Sequence, residues 1–216
     1  MYPGVIGKIL VADGRVGFIG GMNLDWKGKY IVDGTYRYDG SSLFGAGNRW
    51  APFGRASFVW LASDESWWDV PGLTEFRVRA SRGTAGNTPN FTAQYETYSC
   101  SASGCSLGQA GNSQLRPETT TETEFGTDFT LFNRVGVELT RAVSDTRDQI
   151  LNVPTPSNLG FSTQWKNAGT LHNETFEAAF NLPVISTADL TWDLRMSYDR
   201  TRSTITQLNM PEYFQN

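Results

Sequence analysis

The chain has 216 residues, with 22 acidic against 18 basic side chains, a formal net charge of −4 and only 19% charged residues. That balance, with no Lys/Arg cluster, argues against nucleic acid as a partner, and no apolar run reaches the length of about 18 residues that a transmembrane helix needs. The 22 Gly, 7 Trp, 8 Tyr and 13 Phe favour an all-β chain over a helical one.

The opening MYPGVIGKILVADG lacks the charged start, apolar run and small-residue cleavage site of a secretory leader. It belongs either to a cytosolic protein or to an internal piece of a longer chain, and the pattern that follows favours the second. From Val16 to Asp25, Phe18, Gly20, Met22 and Leu24 share one face, with Gly21, Asn23 and Asp25 opposite. A tight turn at Trp26-Lys27-Gly28-Lys29 leads to Tyr30, Val32, Gly34, Tyr36 and Tyr38, set against Asp33, Thr35, Arg37 and Asp39. Strict alternation over about ten residues is the strand period, and that length crosses a bilayer as a tilted strand. After a polar loop from Asp39 to Arg49, Ala56, Phe58 and Trp60 oppose Arg55 and Ser57, with Val59 an apolar exception.

A turn over Ser63 to Gly72 precedes Phe76, Val78 and Ala80, which alternate with Glu75, Arg77, Arg79 and Ser81. A Gly-, Ser-, Asn- and Thr-rich loop is predicted from about Gly83 to Pro117, and loops that long are uncommon unless functional. The chain resumes with Phe125, Thr127, Phe129 and Leu131 against Glu124, Gly126, Asp128 and Thr130, then turns at Phe132-Asn133-Arg134 into Val135, Val137 and Leu139. A second polar loop is predicted from about Asp148 to Thr170, where Pro154 and Pro156 oppose a ladder. Phe176, Ala178, Phe180 and Leu182 then face away from Glu177, Ala179 and Asn181, and Leu190, Trp192, Leu194, Met196 and Tyr198 away from Thr191, Asp193, Arg195, Ser197 and Asp199.

Eight segments thus share one grammar, an antiparallel up-and-down meander. Short connections alternate with long ones, as in outer-membrane barrels with short inner turns and long outer loops. Trp26, Tyr30, Trp50, Trp60, Trp67 and Trp68 gather near strand ends, as interfacial girdles do. The prediction is an all-β, antiparallel transmembrane β-barrel wall. Alternation alone also suits a soluble β-sandwich, one that could bind carbohydrate, or a complete eight-stranded barrel.

The segments carry motifs as well as periodicity. Arg37-Tyr38-Asp39-Gly40-Ser41-Ser42 with Phe44 precedes Arg49-Trp50-Ala51-Pro52-Phe53 and Val59-Trp60. Phe76-Arg77-Val78-Arg79-Ala80-Ser81-Arg82-Gly83 is followed by Gly86-Asn87. Then come Gly111-Asn112, Leu115-Arg116-Pro117-Glu118, Glu124-x-Gly126-x-Asp128, and Asn167-Ala168-Gly169 with Asn173 and Glu177. In this order they resemble the SusC/RagA-type TonB-linked outer-membrane transporters, from about Gly20 to Thr201, although Thr175 stands where that family usually has Gly.

The resemblance implies a twenty-two-stranded barrel plugged by an N-terminal domain, importing glycan or peptide fragments with energy from TonB. A SusD-like lipoprotein would lid the outer mouth. Residues 1–216 would then be a partial barrel domain without plug, leader or final strands. The stop at Tyr213-Phe214-Gln215-Asn216 reads as lying inside a loop. The lipid bilayer of the outer membrane would be a direct partner; TonB and the lipoprotein would act through the rest of the parent chain.

Candidate sites are few. Asp33, Arg37, Arg77, Arg79, Asp193 and Arg195 form the lumen-facing set, pairing across strands on a watery wall or lining a substrate path. Cys100 and Cys105 read as a disulfide closing a small surface loop, or as two free thiols; two thiols are poor evidence for zinc. Tyr95 and Tyr98 would stack on a sugar face or simply pack the loop. Asp64 and Glu65 read as a solvated turn rather than a glycosidase pair. Gly45-Ala46-Gly47-Asn48 is too short for a phosphate loop, and His172 has no nucleophile motif beside it. No catalytic residue, cofactor or metal is expected.

Overall fold

The computed structural model describes residues 14–210 apart from 46 and 103. The terminal Tyr213 to Asn216, the opening segment and Ala46 lie outside the described residues. Eight long strands form one meander: β1 (Arg15–Trp26), β2 (Tyr30–Ser41), β3 (Trp50–Leu61), β4 (Leu73–Asn87), β8 (Glu118–Leu131), β9 (Val135–Pro154), β10 (Thr163–Ser186) and β11 (Thr191–Leu208). Between β4 and β8 lie the hairpin β5 (Tyr98–Ser101) and β6 (Gly104–Leu107), and the short β7 (Gln109–Ala110). The eight long strands pair antiparallel in chain order, and β7 adds to β10 in parallel.

Registers carry the alternating faces from strand to strand. Val32 lies opposite Phe58, Phe58 opposite Ala80, Ala80 opposite Phe125. On the other face Asp33 lies opposite Ser57, Ser57 opposite Ser81, Ser81 opposite Glu124. Since the side-chain period is two, in-register pairing keeps each strand's alternate residues on one continuous face of the sheet. Val59 falls opposite Arg79, so the apolar exception sits on the polar face.

Two tight turns rest on left-handed backbone at Lys27 and Gly28, and at Phe132 and Asn133. The first is fixed by Asp25, whose Oδ1 accepts the Gly28 N–H at 2.8 Å. Gly and Asn tolerate that conformation readily; Lys and Phe do so at a steric cost.

Both predicted long loops are shorter than the sequence suggests. The sheet continues through β4 to Asn87 and resumes at Glu118. The second loop shrinks to residues 155–162, because β9 runs to Pro154 and β10 starts at Thr163. Pro154 is tolerated as the last residue of its strand, opposite Thr163. Register shifts between Asn167 and Gly169, and between Gly169 and Leu171, absorb the irregular sequence as bulges.

Among the described residues no second sheet covers the oily face. Phe58 and Trp192 are 39% and 54% exposed, and Phe129 and Phe180 are half-buried. Among the described residues the only other sheet is the β5–β6 hairpin, so the sandwich is not this fold. β1 and β11 are opposite edges of the large sheet and do not pair, so the eight strands do not close into a small barrel either. The packed core lies instead at the long-connection end, where Phe44, Ala93 and Leu115 cluster against Ile150 and Trp165.

Candidate functional site

All six predicted wall residues fall on the polar face of the sheet, but the structure groups only some of them. Arg77 and Arg79 converge on Asp128 of the neighbouring β8. Arg77 Nε donates to Oδ2 at 2.8 Å, and Arg79 Nη2 donates to Oδ1 at 3.0 Å. Arg79 also donates to Glu124 Oε1 at 3.3 Å and to Thr140 Oγ1 at 3.1 Å. Gly126, directly opposite Arg79, makes room for this: a Cβ there would come within 2.8 Å of the guanidinium. Asp128 is 8% exposed, and a carboxylate so enclosed needs its two cationic partners.

Arg195 joins Arg77, Asp128, Glu138, Asn181 and Ser197 around a concavity of about 800 Å³. Arg37 lies apart, ion-paired to Asp39 within its own strand, beside a smaller concavity of about 410 Å³. Asp33 and Asp193 lie opposite Ser57 and Pro183 and join neither group. The acidic partners Asp128 and Glu124 stood on the polar side of the sequence pattern, but their pairing with Arg77 and Arg79 depends on register, which spacing along one strand does not carry.

At the short-turn end the aromatics form a continuous chain. Ring centroids are 5.4 Å apart for Trp26–Tyr30, 6.4 Å for Tyr30–Trp60, 6.4 Å for Trp60–Trp67, 6.0 Å for Trp67–Trp68 and 5.5 Å for Trp68–Phe76. At the other end Trp50 stacks between Phe18 and Tyr38, at 6.4 Å and 5.1 Å. Tyr30 and Tyr38 are eight residues apart, about 27 Å along a strand before tilt, close to the apolar band of about 25 Å in outer-membrane barrels.

Glu65 is not the solvated turn residue its position suggests. It accepts from Tyr30 Oη, from Lys29 Nζ at 3.2 Å and from Trp60 Nε1 at 3.4 Å, and its side chain is only 13% exposed. The hydrogen bond from Tyr30 is the main cause holding its carboxyl below the ordinary carboxylate value, with Lys29 and Trp60 adding to it against desolvation. The residue ties the turn after β3 to the turn after β1.

The long connections fold over one another at the opposite end, and the motif residues do the tying. Asn112 Nδ2 donates to the Trp165 carbonyl at 2.8 Å. Asn167 accepts the Arg116 N–H at 3.0 Å and donates to the carbonyls of Arg116 and Asp148 at 2.9 Å and 2.7 Å. Gly111 passes so close to the 94–96 backbone that a Cβ would meet it at 2.8 Å. Leu115 is fully buried among these segments.

Cys100 and Cys105 lie opposite each other in the β5–β6 hairpin and are joined by a disulfide. Tyr95 packs on Phe91 at 5.5 Å, while Tyr98 projects from the hairpin, 60% exposed. His172 sits within β10, between Asp145 at 2.8 Å and Glu174 at 3.5 Å.

A single wall with an oily face between two aromatic girdles and a charged face on the other side defines a segment of a large outer-membrane β-barrel. The chain belongs to the TonB dependent receptor-like, beta-barrel family, which matches residues 13–213. TonB-dependent receptor P3 of Formosa agariphila is 30% identical over 206 residues, covering 89% of this chain and 20% of its own. TonB-dependent receptor SusC of Bacteroides thetaiotaomicron is 30% identical over 213 residues, covering 89% and 21%. The solved RagAB peptide transporter superposes with a TM-score of 0.80 at 26% identity, covering 91% of this chain and 23% of that one. The chain thus spans about a fifth of the length of the curated relatives it matches. The family is one of outer-membrane receptors and transporters, not of enzymes.

Proposed function

We propose that residues 1–216 supply a wall segment, about eight strands, to a TonB-dependent importer of glycan or peptide fragments. The plug, the TonB-contacting segment and the remaining strands belong to other parts of a parent chain. A SusD-like lipoprotein covers the outer mouth, and the long connections point to the cell surface. One observation carries this reading: the Arg77–Asp128–Arg79 network and Arg195 share the face opposite to Phe58, Phe129, Phe180 and Trp192. Charges on one side and oil on the other suit a wall between a watery bore and hydrocarbon. Within the bore, Arg77, Arg79 and Arg195 hydrate the wall or touch the cargo or the plug, while Asp33, Arg37 and Asp193 line it elsewhere. A solved relative named as a peptide transporter supports peptide fragments, and the SusC/RagA-type motifs leave glycan fragments as the second candidate.

Neighbouring residues test the sidedness. Ser197→Cys and Met196→Cys, made separately in the full-length protein in outer membranes, sit on opposite faces of β11. A water-soluble maleimide should label the Ser197 variant and spare the Met196 variant, which should react only with a membrane-partitioning reagent. Equal labelling, or the reverse, overturns the wall reading.

A further inference from the structure

On the polar face of β4 and β8 most long charged side chains pair off. Arg77 and Arg79 on β4 are matched by Asp128 and Glu124 on β8, two cations against two anions. One cation and one anion beside them are left over. Arg55 on β3 lies opposite Gly83 on β4, and Gly83 lies opposite Glu122 on β8. Both side chains are exposed, and neither has a hydrogen-bond or ion-pair partner among the described residues. β3 and β8 are interior strands, each flanked on both sides by strands of this chain, so an open sheet edge does not account for the missing partners.

Gly83 puts no side chain between them. The backbones that carry Arg55 and Glu122 are two strand spacings apart, about 10 Å. A concavity of about 480 Å³ joins them, lined also by Ser57, Ser81 and the paired Arg79 and Glu124. Ser57 and Ser81 lie opposite each other one row below, and their hydroxyls have no partner among the described residues. On β2 the diagonal neighbours of Arg55 are Asp33 and Arg37, one of each sign; Arg37 is held by Asp39, and Asp33 forms no ion pair among the described residues. The charges that line the concavity sum to zero, but they are separated, with a free cation at one side and a free anion at the other.

A dipolar site is complemented by a ligand that carries both charges itself. A neutral sugar answers neither group, and an acidic sugar answers Arg55 while setting like charge near Glu122. A short peptide with free ends answers both. An extended chain advances about 3.5 Å per residue, so the ends of a two- or three-residue peptide span the gap. We propose that Arg55 and Glu122 bind the two ends of a short zwitterionic peptide, the carboxylate on Arg55 and the ammonium on Glu122. Guanidinium meets a carboxylate through two parallel N–H···O bonds, which fixes the direction of the peptide. The hydroxyls of Ser57 and Ser81 serve the amide groups between the ends. The inference rests on the proposed role of this face as the bore wall of an importer, and it selects peptide over glycan as the cargo.

The test measures binding of trialanine to the full-length protein in nanodiscs by calorimetry. Amidating the C-terminus of the peptide, or acetylating its N-terminus, should each weaken binding roughly fivefold in the unaltered protein. Arg55→Gln should abolish the preference for a free over an amidated C-terminus and keep the preference for a free N-terminus. Glu122→Gln should do the converse, a crossed pattern that general loosening of the wall does not produce. No binding of trialanine, equal binding of its free and doubly blocked forms, or maltotriose bound as tightly overturns the proposal. So does a steady ion conductance in planar bilayers from either variant with both end preferences intact, the result expected if the two residues grip the plug instead. The Ser197 and Met196 labelling reports on the wall independently, so a wrong wall and a wrong ligand give different failures.

Discussion

Strands β9 and β10 pass through two environments along one length. In their lower part Val137 lies opposite Phe180 and Leu139 opposite Ala178, and these residues face outward on the side that no other sheet among the described residues covers. In their upper part Val153 and Ala168 are buried, and Ile150 and Trp165 pack against Phe44, Ala93 and Leu115. The lower part is oily toward its surroundings; the upper part is built like a small water-soluble core. A bilayer supplies the missing layer below, and no hydrophobic driving force sorts lipid from side chain there. Above the membrane the chain must bury its own apolar groups, and the long connections do so. The same alternation of residues therefore serves two solvents, and the loops are where this piece of wall makes a core.

Changes to that small core should sharpen the contrast most. Leu115→Ala removes a fully buried side chain at the centre of the loop cluster and should weaken its packing by about 2–5 kcal/mol. The strands beneath should keep their protection. Limited proteolysis of the full-length protein on intact cells reads this directly: new cleavage within residues 88–117, with the barrel still resistant to heat in detergent. Barrel loss at the same temperature as the loops would mean the two regions are one cooperative unit.

Asn167→Ala should come next. It deletes one acceptor and two donor contacts that fasten the Arg116 and Asp148 backbone, and leaves those groups to water or unpaired, at about 1–3 kcal/mol. Asn167→Asp keeps the acceptor but loses both donors, so it should fall between the native residue and Ala in protease resistance. Hydrogen exchange at the Arg116 amide distinguishes the clamp from a general loosening.

How far these regions were legible differs for the same reason. Wall strands announce themselves because each alternates against a fixed environment, so Phe58, Arg77, Phe129 and Arg195 could be assigned faces one strand at a time. Asp128 between Arg77 and Arg79, or Arg116 against Asn167, are relations between distant segments, and no local period encodes them. The loop core was hidden further by its composition: Gly111, Asn112 and Asn167 read as polar connection, yet their value is close backbone approach and side-chain clamps. Pro154 misled by a general rule, since a proline closing a strand costs the ladder little. Glu65 misled by its turn position, because its three donors come from two other segments.

That carboxylate offers a smaller break, at the short-turn end. Its pKa is held below the ordinary value, so the stability it contributes is present at neutral pH, above the unfolded-state pKa. It is lost as pH falls through the lower folded-state value. Hydrogen exchange in the 62–72 turn should therefore quicken from about pH 7 to about pH 3 beyond the intrinsic trend, and Glu65→Gln should abolish that excess while leaving the loop end unchanged. If both ends loosened together on acidification, Glu65 would not be a local tie.

The smallest effect is expected from the Cys100–Cys105 disulfide. It spans a sequence separation of five inside a hairpin whose two short strands form their own sheet, apart from the wall. A closed loop this small restrains few unfolded conformations, and those it restrains belong to the hairpin alone. Cys100→Ser/Cys105→Ser should leave the unfolding temperature of the full-length barrel and the protease resistance of the Leu115 cluster unchanged, and raise exchange only in residues 98–107. Tyr98 stands out from that hairpin into solvent, so loss of the crosslink should also broaden its ring orientations. A barrel-wide loss of stability would mean the hairpin leans on parts of the protein outside this chain.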